Sequence, residues 1–213
     1  MVRLGNFAPP PPRLPTGLAA LDGALAGGLP RGRVTELAGA RSAGRTALAC
    51  RIAASATKAA ETIAWVDPQD VLDPAAADAV GVALSRTLWV RPRNPSDALR
   101  ATEILLGAGG FGLVVLDHDV PAPPPGRAVS WIRLARVAER TGSTLLVLSS
   151  TPQVGPSVAL GLEILGRRVH WSHAPGQLAV LDGITSRLAV TRSRSGGVGR
   201  ALALRHTADR ACN

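Results

Sequence analysis

Up to Ser150, short apolar runs take turns with helix-length segments; beyond it the chain reads as strands separated by turns. A short helix follows Thr16-Gly17, carried by Leu18, Leu21 and Leu25 and closed by Gly27-Gly28. Pro30-Arg31-Gly32 then turns into a strand over 34–38, and an alanine-rich helix is expected over 45–60. Strands at 62–66 and 87–90 flank a helix at 75–79, and a helix over 97–106 takes Ser96 as its N-cap. The runs 112–117 and 144–148 are apolar without alternation, as strands buried on both faces of a parallel sheet would be. Between them, 128–139 places Trp131, Leu134, Ala135 and Ala138 on one side of a helix. Further strands are expected at 162–171, 177–181, 187–191 and 201–205, the last three alternating well enough for antiparallel pairing. The pattern predicts an α/β fold: a mostly parallel central sheet flanked by helices, with a C-terminal antiparallel β extension.

Three divisions follow. Residues 1–15 contain four consecutive prolines and read as an arm, residues 16–206 as the core domain, and residues 207–213 as a tail. The 213 residues suffice for one substantial α/β domain. Aromatics are only 3%, so its core is built from Ala, Val, Leu and Ile. A formal charge of +9 points to an acidic partner such as DNA. Lys58 is the only lysine, however, so compositional bias toward arginine accounts for the same charge. Cys50 and Cys212 make neither a disulfide framework nor a metal site. With no apolar signal core and no uncharged span long enough for a membrane, a cytoplasmic protein is expected.

The stretch 39–46 carries the candidate chemistry: Gly39, four residues including Ser42, Gly44, the basic Arg45 and the hydroxyl of Thr46. It follows an extended run and opens a helix, the setting of a phosphate-binding loop, in which curled backbone N–H groups and the helix dipole meet the phosphates. A lysine normally reaches the β- and γ-phosphates in such loops; here Arg45 stands in its place.

Four features together resemble the RecA/recombinase ATPase core over most of the chain. They are TGLAALDGALAGGLPRGRVTE, the loop, the acidic segment from Asp67 through Leu72-Asp73-Pro74, and the Val114-Val115-Leu116-Asp117 strand. The resemblance implies an ATP/Mg²⁺ site in which Thr46 and Asp117 serve the metal if Mg-nucleotide binds, with no separate metal site. It also implies a glutamate two residues after Asp67 to activate water, and there the chain has Gln69, which cannot take a proton. A γ-phosphate-sensing glutamine is replaced around Ser149-Ser150. Arg192 and Arg194 are similar to a basic pair that reaches a neighbour's nucleotide in RecA filaments or contacts nucleic acid; charges blunting an edge strand explain them nearly as well.

Losing the loop lysine and the general base together implies a degenerate ATPase with no catalytic residues. The N-terminal polymerisation element and C-terminal domain of RecA have no counterpart in these residues, so a self-made filament is not expected. Among RecA relatives the description most resembles ImuA, an accessory of DNA-damage-induced (SOS) translesion synthesis and mutagenesis. The implied partners are RecA, an ImuB-like Y-family polymerase homologue and, indirectly, an error-prone replicative-type polymerase. Two alternatives stand beside it: a SulA-like cell-division inhibitor, and a slow DNA-dependent ATPase of the recombination-mediator type using Asp67 or Asp70 as base.

Overall fold

A computed structural model describes residues 12–120, 128–172, 180–193, 199 and 201–207. The chain runs β1 (Arg13–Leu14), α1 (Ala19–Ala24), β2 (Leu29–Pro30), β3 (Val34–Gly39), α2 (Arg45–Lys58), β4 (Thr62–Val66), α3 (Pro74–Ala79), β5 (Thr87–Val90) and α4 (Pro95–Ala108). It continues with β6 (Phe111–Asp117), α5 (Ala128–Thr141), β7 (Thr144–Ser149), β8 (Val158–Ser172), β9 (Val180–Ser193) and β10 (Ala201–Thr207).

Eight strands form one sheet in the order β10-β9-β8-β3-β7-β6-β4-β5. From β5 to β8 every pairing is parallel, while β9 and β10 add antiparallel strands at one end. The expected α/β architecture with its antiparallel extension is the one observed. The period-two alternation of the strands sorts their side chains into two cores. Leu37, Ile63, Trp65, Leu113, Val115, Leu146 and Leu148 face one way and pack with α1, α2 and α3. Val34, Ala64, Val66, Val114, Leu116, Leu145 and Val147 face the other way, against α4 and α5. A strand buried on both faces carries mostly apolar side chains, which explains the long apolar runs of β6 and β7.

Three boundaries differ from expectation. Asn94, not Ser96, caps α4: its side-chain oxygen accepts from the Asp97 amide at 2.9 Å. Pro95 lacks an N–H and has a helix-ready φ, so it opens the helix and moves the cap two residues earlier. The run expected at 187–191 belongs to a single long β9, together with the part of 177–181 that is described; polar Asp182-Gly183 and Ser186 had interrupted the apolar pattern. Its partner β8 begins at Val158, and bulges along the pair absorb the mismatched registers. The last residues of the expected arm are part of the packed fold, since β1 pairs with β2 and Leu14 is fully buried.

In this sheet β3 lies between β7 and β8, and the chain leaves it to re-enter at β4, beyond β7 and β6. The loop after β3 therefore opens at the carboxyl ends of the parallel strands, where the strand order reverses, the usual place for a site in an open α/β sheet. Among the described residues no helix is long and apolar enough to cross a membrane.

Candidate nucleotide site

The loop is built as its residue types require. Gly39 ends β3 with the Ile164 side chain only 3.1 Å from where a Cβ would stand. Ser42 and Gly44 take positive φ values of 59° and 104°, curling the backbone round before α2 starts at Arg45. The Ala43 amide closes the turn on the Ala40 carbonyl at 3.0 Å, and Arg167 of β8 donates to the Ser42 carbonyl from outside. Gly44 provides α2 with no side-chain cap, so the first helical N–H groups are left for an anion. Thr46, the second helical residue, is half-buried.

Arg45 does not stand free over the loop. Its Nη2 is 3.1 Å from Oδ2 of Asp119, with the two side chains only 10% and 8% exposed. Arg41, at the crest of the loop, reaches the same oxygen with Nε at 3.3 Å. The Ser150 hydroxyl also donates to the Asp119 side chain, and Gln69 Nε2 donates to its backbone carbonyl at 2.6 Å. Burial would raise the Asp119 pKa, but the hydrogen bonds from Ser150, Arg45 and Arg41 outweigh it and hold the carboxyl below its usual range. Asp119 thus ties together the loop, the residue standing for the general base, and the segment after β7.

Asp117 ends β6 almost fully buried, and its pKa is pushed up to about 6. Burial is the main cause; Arg45 pulls it back down, while Asp67 and Asp119 push it further up. Asp67 is fully buried at the end of β4 and accepts from the Val71 and Leu72 amides at 3.1 and 2.9 Å and from the Trp89 indole at 3.3 Å. Asp70 pairs with Arg91 at 3.4 Å. Asp67 thus holds the loop that follows β4, while Asp70 reaches across to the segment after β5.

Most of the residues singled out from sequence meet here. Gly39, Ser42, Gly44, Arg45 and Thr46 form the loop, Gln69 joins it through Asp119, and Asp117 lies within the field of Arg45. Arg192 lies elsewhere, donating to the Gly155 carbonyl at 2.9 Å, and Arg194 lies outside the described residues. Sequence reasoning missed Asp119. The available signal was a second acid two residues after Asp117, set against two loop arginines that otherwise had no counter-charge. It also missed Glu36, a buried β3 carboxylate whose Oε1 accepts from the Gln153 and Val154 amides at 2.6 and 3.1 Å and from the Ser149 hydroxyl at 3.3 Å.

A family model for the RecA N-terminal domain matches residues 8–128, a stretch that includes the loop, Gln69 and Asp119. The chain belongs to the RecA family. It is 44% identical to the RecA protein of Symbiobacterium thermophilum over 112 residues, 52% of this chain and 32% of that protein. Against the RecA protein of Deinococcus radiodurans the identity is 45% over 110 residues, 51% of this chain and 30% of that one. The match thus spans about a third of the length of these curated RecA relatives. The crystal structure of the RadB recombinase superposes with a TM-score of 0.68, covering 91% of this chain and 96% of that one at 20% identity, a likeness of fold.

Within a RecA-type loop the residues present fit part of a Mg-nucleotide. The uncapped α2 amides and the buried Arg45 Nη1, which has no hydrogen-bond partner, suit phosphate oxygens, and Thr46 and Asp117 suit the metal. Nη2 of Arg45 is already committed to Asp119.

Proposed function

We propose that this RecA-family chain is a non-catalytic accessory protein of DNA-damage-induced translesion synthesis. In this reading it binds RecA and an ImuB-like polymerase homologue and modulates the RecA filament or its ATPase; an error-prone polymerase is engaged indirectly, and DNA is met through those partners or through the chain's own arginines.

The observation that carries the reading is the Arg45–Asp119 pair with Gln69 bound to the same residue. In place of a lysine ammonium aimed at phosphate there is a planar guanidinium engaged by an internal carboxylate, and an Arg fork does not substitute simply for a compact ammonium. In place of a carboxylate that could draw a proton from water there is an amide donating to a backbone carbonyl. The recombination-mediator reading requires Asp67 or Asp70 as the base; Asp67 is taken up by amides of the loop after β4, and Asp70 is paired with Arg91 beyond β5. A chain that keeps the RecA architecture without a working turnover site is suited to present a RecA-like surface.

Binding experiments with purified RecA and an ImuB-like protein test this. Saturable binding to each, with RecA filament assembly altered by the added chain, is the expected outcome. Absence of binding to both, together with a block of division-protein polymerisation in vitro, would replace the reading with that of a division inhibitor.

A further inference from the structure

Helix α2 is 14 residues long, opens on Gly44 without a side-chain cap and has no acidic residue in its first turn. Its leading N–H groups and dipole favour an anion at that end. A second observation points the same way. The Arg45 side chain is nine-tenths buried, and while Nη2 meets Asp119, Nη1 is buried with no hydrogen-bond partner. Leaving a charged donor buried and unmade is costly, so the loop holds unused capacity for an acceptor oxygen.

Part of the site is already filled by the chain itself. The Asp119 carboxylate bridges Arg41 at the loop crest and Arg45 at the helix start, and takes the Ser150 hydroxyl as well. Three donors thus converge on one internal anionic group at the mouth of the loop. We infer that the loop accepts a diphosphate and refuses a triphosphate, the Asp119 carboxylate standing as the built-in counterpart of a third phosphate. This deepens, and rests on, the reading of a site that does not turn nucleotide over.

The selectivity follows from donors and charge. Two phosphates can use the α2 amides and leave Asp119 on Arg41 and Arg45, with Arg45 Nη1 as a further donor still without a partner. A third must either displace Asp119 from Arg41, Arg45 and Ser150 or lie against its carboxylate, and like charges in a partly buried site repel strongly.

Calorimetric titration of the full chain with Mg-ADP and with Mg-ATP tests the inference, alongside Asp119→Asn and Arg45→Ala. Wild type should bind ADP about tenfold or more tightly than ATP, a gap of about 1.4 kcal/mol. Asp119→Asn should bring ATP to within about threefold of ADP, since the amide keeps the shape and removes the charge. Arg45→Ala should weaken both nucleotides. If Asp119→Asn does not fold by circular dichroism, Asp119→Ser takes its place. Equal affinities in wild type, an unchanged gap in the Asp119 variant, or no binding of either nucleotide by either form overturns the inference. Binding to RecA is measured separately, so loss of the nucleotide preference and loss of the accessory role are read independently.

Discussion

Arg45 Nη2 and Asp119 Oδ2 lie 3.1 Å apart, in a pair that links the first residue of α2 to the segment just beyond β6. Both side chains are about nine-tenths withdrawn from water, so neither charge is tolerable alone. Asp119→Ala should lower the unfolding free energy by on the order of 3 kcal/mol, because it strands a buried guanidinium. Arg45→Met combined with Asp119→Ala should cost clearly less than the sum of the two single changes. Urea denaturation of the four proteins measures the coupling, and strict additivity would mean that the pair contributes nothing.

Asp117 gives a pH signature. Its carboxyl titrates near 6 in the folded chain against an ordinary 3.8, so between those values the folded state binds more protons than the unfolded one. Stability from this group is therefore full below about pH 4 and is lost as the pH rises through about 6. Asp117→Asn removes that loss. The variant should match wild type near pH 4 and exceed it by up to about 3 kcal/mol at pH 7. Comparing the two proteins by urea denaturation across this range isolates Asp117 from Asp119, whose lowered pKa destabilises in the opposite direction, on acidification.

Glu36 should hold the turn after β7. Its carboxylate accepts from two backbone amides and one hydroxyl while only 4% exposed, so Glu36→Ala leaves the Gln153 and Val154 amides without that acceptor. A cost of about 1–3 kcal/mol is expected for such a loss. Amide exchange at Gln153 and Val154 should quicken in the variant while the centre of β7 stays protected. Unchanged exchange there would show that other bonds hold the turn.

Gly28 is required by its backbone and by its neighbour. Its φ is +123°, and an added Cβ would stand 2.1 Å from the Leu14 carbonyl oxygen, a backbone atom fixed by the β1–β2 ladder. Gly28→Ala should therefore cost more than about 3 kcal/mol, well above the loss of an exposed helix glycine's flexibility. Thermal unfolding compared with Gly107→Ala, where a Cβ meets nothing within 4 Å, separates the two effects.

Local chemistry carried most of the architecture. The unbroken apolar runs of β6 and β7 announced strands buried on both sides, and Gly39, Gly44 and Thr46 announced the loop that leads into α2. Residues at 69 and 117 could be placed at the site because each lies just after, or at the end of, a parallel strand whose carboxyl end faces the loop. Asp119 could not be placed the same way. Its role depends on 74 residues of chain folding back to set it against Arg45, and a D-x-D after a strand reads equally as a solvated end. Glu36 was hidden for a related reason: a carboxylate in the middle of an apolar strand makes sense only once the amides at 153 and 154 arrive beside it. The long β8–β9 pair was read as shorter pieces because its bulges break the alternation by which a strand is recognised.

ATP turnover is the most direct measurement: phosphate release by the purified chain with Mg²⁺, with and without single-stranded DNA, and again with RecA present. The Arg45–Asp119 pair and Gln69 lead us to expect no turnover by the chain alone and a changed rate of hydrolysis by RecA when the chain is added. Robust turnover by the chain itself, abolished by Thr46→Ala, would contradict the accessory reading and make Arg45 and Gln69 working parts of an ATPase.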